Sequence, residues 1–183
     1  MRFFAILAAL LLLCVARPAQ SQVRVGRDSS TRLNRFGRDL VYGAGMGLVY
    51  AEIDQLNNSP AEWGKGWEGY RKRAASNVGE FVIQEGVTEG LAAAMKRPLD
   101  YQRCHCRGTG NRVRWALWSG IADVMPNGSH PIAVPRIAGA YVGSFAQASW
   151  RPSSSDRART AVVNGTVSLL IGAGINMFQE FRH

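Results

Sequence analysis

Charged residues are scarce in this 183-residue chain, at 19% against 46% hydrophobic. That balance excludes disorder along the whole length, because enough apolar surface is present to form a core. Histidine and cysteine occur three times each. There is no second cysteine pair, so the usual spacing of a structural zinc site is absent, as is the C-x-x-C-H pattern of haem attachment. Strand-like alternation of apolar and polar residues is missing as well, which leaves helices as the building elements. Gly43-Ala44-Gly45-Met46-Gly47 lacks the G-x-G-x-x-G spacing of a phosphate loop and lies inside a helical pattern. Neither Ser119 nor Ser144 sits in a G-x-S-x-G elbow.

The chain is rich in glycine, with 20 residues and no collagen period, and in arginine, which outnumbers lysine 19 to 3. Its start is apolar. Met1-Arg2 precedes a hydrophobic run from Phe3 to Ala16, and Ala19-Gln20-Ser21 places small residues where a signal peptidase reads. These features predict a secretory signal over 1–21; a membrane anchor would need a longer run, about 20 apolar residues. Cys14 would leave with the signal. The remainder reads as a flexible basic arm over 22–32 and a single helical domain over 33–183.

Within that domain the patterning predicts an all-α fold of five or six helices, near 33–54, 60–97, 112–124, 135–150 and 155–181. Ser59-Pro60-Ala61-Glu62 has the form of a capped helix start, Pro98 is a stop, and Ser155 is a cap for the last helix. Placed on helical wheels at about 100° per residue, the small residues fall on stripes. Ala75, Gly79, Gly86, Gly90 and Ala93 share one arc, as do Gly139, Gly143 and Ala146, and then Ala161, Gly165, Ser168 and Gly172. An interior glycine costs about 1 kcal/mol against alanine, so the stripes imply helices packed through Gly/Ala/Ser faces. The second helix is expected to meet the last one along its arc. On that expectation Gly90→Leu destabilises the fold and Gly90→Ala gives no gain.

Thr160 to Gln179 carries no charge over a length that could cross a bilayer, although it includes Asn164, Ser168 and Asn176. The uncharged stretches 40–51 and 137–150 are too short to span. Basic residues gather around the loop that follows Pro98, where Arg103, Arg107, Arg112 and Arg114 face only Asp100 as a local acid. Such a patch is either solvated charge or a site for anionic lipid head groups. No nucleic-acid partner is expected, since no aromatic-basic module accompanies the patch.

Cys104-His105-Cys106 places three soft donors side by side. Three readings stand: a disulfide between Cys104 and Cys106, free or intermolecular thiols, and a metal site. Outside the cytoplasm the disulfide is the simplest, and closing so small a ring makes it easily reduced. A metal site would need a fourth donor and a distorted loop, so no metal and no cofactor is expected. Glu85 and Glu89 share a helix face, read as solvated charge in preference to an acid–base pair.

Trp63-Gly64, the block Gly69-Tyr70-Arg71-Lys72-Arg73-Ala74-Ala75, the stretch from Glu85-Gly86 to Pro98-Leu99-Asp100-Tyr101, and Val134-Pro135-Arg136-Ile137-Ala138-Gly139 resemble an uncharacterised family of exported, glycine-rich helical bacterial proteins. The likeness covers about 140 residues of packing motifs. It departs at Cys104-His105-Cys106, near which that family often has a basic or aromatic Pro-Arg-Tyr stretch. The resemblance implies export and a helical fold and carries over no catalytic or ligand residue. The leading expectation is an exported, non-enzymatic cell-envelope protein of the periplasm or outer membrane. It would be membrane-associated or a structural module, with anionic lipids or another envelope protein as partner. The alternative is a soluble periplasmic binding or thiol-redox protein using Cys104 and Cys106.

Overall fold

Glycine and proline set where the helices begin and end. The computed structural model describes residues 29–152 and 156–182. The signal over 1–21 and most of the arm expected over 22–32 lie outside the described residues. Helix α1 is Ser29–Leu56, α2 Trp67–Ala94, α3 Thr109–Trp118, α4 Val134–Trp150 and α5 Arg157–Phe181. No strand occurs among the described residues. Ala122 and Ile132 form an isolated antiparallel bridge, with the Asp123 N–H donating to Pro131 and the Ala133 N–H to Ile121. Among the described residues the fold is all-α with five helices, as the patterning predicts. From Leu33 onward the chain forms one unit.

Several boundaries differ from expectation, among them the helix expected over 112–124, which runs Thr109–Trp118. Helix α1 starts at Ser29, inside the expected arm. The second helix starts at Trp67 instead of Pro60: a single 3-10 turn, Ala61–Trp63, is broken by Gly64 at φ 71°, and a second start follows Gly66. Asp156 caps α5 by accepting from the N–H groups of Ala158 and Arg159, while Ser155 lies outside the described residues. Helix α3 ends at Trp118, and the chain turns through the 121–133 hairpin, whose tip residue Gly128 has a φ of 79°. Pro135 fits the first turn of α4, where its missing N–H leaves no bond unmade.

Helix α4 is central. It packs on α2 along one face and on α5 along another, and α3 packs on α5. Close approach is made by glycine. A side chain at Gly139 would meet Thr88 and the carbonyl of Gln84, one at Gly143 would meet Gln84 and the carbonyl of Glu80, and one at Gly165 would meet the Tyr141 ring. Gly43 and Gly47 of α1 likewise receive Phe81 and Val78 of α2.

The interior this produces is unusual in content. Apart from Pro135, the buried apolar side chains among the described residues are all alanine. The largest fully buried side chains are Arg73, Gln147, Glu180 and Asp123. Large apolar residues stand outside instead, among them Val82, Phe145, Val163, Leu170 and Phe178. Burying polar groups in this way is tolerable only if their hydrogen bonds are made, and for most of them, Asp123 apart, they are. Ser144 donates to Glu80 at 2.7 Å, Gln147 to Asn77 at 2.8 Å, Asn77 to Asp54 at 3.2 Å and Ser168 to Gln84 at 2.9 Å. The Trp150 indole donates to Ser76 at 3.0 Å.

Candidate functional site

Two regions answer to the sequence-level candidates: the loop around the cysteines, and the outer faces of the helices.

The structure joins Cys104 and Cys106 in a disulfide, with Cα atoms 5.1 Å apart. The loop that carries it is fastened to the end of α5 by one buried carboxylate. Glu180 accepts from the Tyr101 hydroxyl at 2.7 Å, the Cys104 N–H at 3.0 Å and Arg112 Nε at 2.7 Å. Arg112 also donates to the Glu180 carbonyl and lies over the Phe181 ring at 4.6 Å. Burial, and then the bond to Glu180, push the Tyr101 phenol well above its ordinary range. The Trp115 indole completes the fastening by donating to the Gln102 carbonyl at 2.8 Å.

The basic patch therefore divides. Arg103, Arg107 and Arg114 are exposed, and Arg112 is a structural cation bound to Glu180. Arg112 is thereby set apart from the three exposed arginines. The signal for its role was weak in the sequence, because its partner stands 68 residues away.

A second charged cluster was missed. Arg35 of α1 pairs with Glu89 at 2.8 Å and with Asp100 at 3.0 Å. Glu85, half-buried beside it, is pushed up to about 7, first by burial and then by the negative charges of Asp39 and Glu89, against Arg35 and Arg136. Glu85 and Glu89 thus line a helix interface and are not the solvated face expected of them. Nearby, Asp123 is buried 3.6 Å from Arg136 and 4.0 Å from Arg97. Neither of its oxygens accepts a hydrogen bond from the described residues, and burial raises its pKa.

The packing glycines also divide. Gly139, Gly143 and Gly165 are interface residues, and Gly79 makes an ordinary contact with the Trp150 ring at 3.6 Å. Around Gly86, Gly90 and Gly172 nothing among the described residues lies within 4 Å of where a side chain would begin. The arc of α2 that holds Gly86 and Gly90 faces outward, so the expected pairing of that arc with the last helix is corrected. Helix α5 packs on α4 and α3, and Ser168 links it to Gln84 of α2.

Helix α5 is long and apolar enough to cross a membrane, yet only 17% of its most apolar stretch is buried. A core helix of the same composition would be mostly covered. Trp67, Trp118 and Trp150 are also exposed. Among the described residues no three His, Cys, Asp or Glu side chains are grouped to hold a metal ion. No family model, characterised protein or solved structure matches the chain.

Proposed function

We propose that the protein is an exported, non-enzymatic cell-envelope protein that works as a helical module on a membrane. The observation that carries this reading is the inverted distribution of side chains. The fully buried apolar side chains are alanine and one proline, most buried polar groups are hydrogen-bonded, and many large apolar side chains are exposed. In water such an exterior is unfavourable by about 25 cal/mol for each Å² of apolar surface, and large exposed apolar patches mark surfaces that meet a partner or a membrane. Export is supported by the charged, apolar and small-residue order of the first 21 residues and by a disulfide at Cys104–Cys106, a bond that persists in oxidising compartments.

Fractionation of the producing cells tests the proposal. The mature chain, beginning at Gln22, is expected in the envelope fraction at low salt. A full-length chain beginning at Met1 in the cytoplasm would refute export, and recovery of the mature chain wholly in the soluble periplasmic fraction would refute membrane association. That second outcome would favour the competing soluble thiol-redox reading, for which the observation is the Cys104–Cys106 bond.

A further inference from the structure

Helix α5 has two faces of opposite character. Ala161, Gly165 and Ala173 are buried against the bundle, with Gly165 under the Tyr141 ring of α4 and Ala173 against Gly120. On the other side stand Val163, Val167, Leu170 and Phe178, all exposed, Leu170 at 65%. Steps of four, three and eight residues at about 100° each keep these four within an arc of about 80°. At about 1.5 Å per residue they form a stripe roughly 22 Å long.

Both ends of the stripe are basic. Arg157 and Arg159 are exposed at its N-terminal end beside the single carboxylate of the capping Asp156, which leaves that end net positive. Arg103 is exposed at the other, next to Cys104, whose amide is bonded to Glu180. This charge pattern decides what can cover the stripe. A second copy of the chain would set one end of net positive charge against another whether the two helices ran parallel or antiparallel. An anionic bilayer has a complementary layout, with acyl chains under the apolar stripe and phosphates for the arginines at each end.

We infer that the outer face of α5 is a bilayer-docking surface: the helix lies along an anionic membrane, with Val163, Val167, Leu170 and Phe178 at the acyl boundary and Arg157, Arg159 and Arg103 on lipid phosphates. It lies on the membrane and does not cross it. Its inner face is packed along α4, and α4 is packed on α2, which carries Arg73, Glu80, Glu85 and Glu89. Burying α5 in the hydrocarbon would draw those groups to a depth where charge is strongly disfavoured. This inference rests on the membrane reading above and assigns it to one surface.

The test uses the mature chain and sedimentation with phosphatidylcholine vesicles, with and without phosphatidylglycerol. Wild type is expected to sediment with the anionic vesicles, to be released by salt or alkaline carbonate, and to leave the neutral vesicles largely unbound. The Val167→Glu/Leu170→Glu double variant, altered only at exposed positions, is expected to retain the wild-type circular dichroism spectrum and to lose about tenfold or more in partitioning. Val82→Glu, on the exposed face of α2, is expected to bind as wild type does. Equal binding by the double variant, or loss with Val82→Glu instead, overturns the assignment to α5 and leaves membrane association standing. Retention through carbonate overturns the lying geometry. Failure of wild type to bind any vesicle overturns both readings. Self-association without lipid that the double variant abolishes would make the face a contact between copies and overturn the inference.

Discussion

The hydroxyl of Thr88 occupies the space that a side chain at Gly139 would need, with the Gln84 carbonyl 2.7 Å from the same point. The first neighbour can rotate; the second is helix backbone and cannot move alone. Gly139→Ala is therefore expected to destabilise the fold by about 1–3 kcal/mol, the range for overpacked interfaces. Gly90 has open space, so Gly90→Ala is expected to stabilise by about 0.4–1 kcal/mol, through helix propensity and a less flexible unfolded chain. Urea unfolding of the two variants checks both signs, and a loss at Gly90 would restore the packing expected from the sequence.

Arg73 is fully buried and serves as the pin of the α1–α2 connection. Its guanidinium donates to the carbonyls of Ser59 at 2.8 Å, Pro60 at 2.8 Å and Gly64 at 2.6 Å, and to the Gln55 side chain at 2.6 Å. Lysine cannot reproduce that planar fork. Arg73→Lys is expected to lower stability by about 3 kcal/mol, since several carbonyls of the turn lose a charged donor together and a buried cation loses part of its partners. Hydrogen exchange should quicken first over residues 55–66.

Glu85 makes stability depend on pH in a defined direction. Its native pKa of about 7 lies above its ordinary value of 4.5. Between those values the folded chain holds a proton that the unfolded chain has lost, so stability falls as pH rises through the window and levels off above it. The full effect is roughly 3 kcal/mol. Glu80 and Asp123, also raised chiefly by burial, act with the same sign. Glu85→Gln is expected to raise stability at pH 8 and to flatten the decline between pH 5 and 7. An unchanged profile in denaturant titrations at several pH values would contradict this.

Replacing Glu180 by alanine strips three donors of their acceptor at once. The expected loss is about 3 kcal/mol, at the lower end for a broken buried ion pair because Arg112 can regain some water. Glu180→Gln, which keeps one acceptor oxygen, should cost less. In both variants burial still holds the Tyr101 phenol up, but it is expected to titrate closer to its ordinary value of 10.0, since the charge of Glu180 is gone and, in the alanine variant, its bond as well. Ultraviolet difference titration reads that shift.

The helical class was legible because Pro98, Pro135 and the absence of alternation act locally, and so were the interface roles of Gly139, Gly143 and Gly165. Periodicity reports which residues share a face, not whether a neighbour stands opposite, and for that reason Gly86 and Gly90 looked like Gly139 and Gly143. The late start of α2 could have been read from Gly64-Lys65-Gly66, a breaker that the capping pattern at Ser59 overshadowed. Arg73 had no sequence signal at all, since most of its acceptors are backbone carbonyls of a turn. Arg112 and Glu180 are joined only by the packing of α3 on α5.

An interior built of alanine reverses the usual response to substitution. Most cores are weakened by truncation, which opens a void in proportion to what is removed. Here the fully buried apolar side chains, Pro135 aside, have a single methyl to give up, so an alanine scan would pass over those positions in silence and register at the polar ties and at the half-buried Val78, Phe81 and Tyr141 that fill the glycine notches. Sensitivity lies in the direction of growth: each added methylene must separate two helices. Over mutational drift the centre can exchange glycine, alanine and serine and little else, while the bulky residues outside are free to vary in shape as long as they stay apolar.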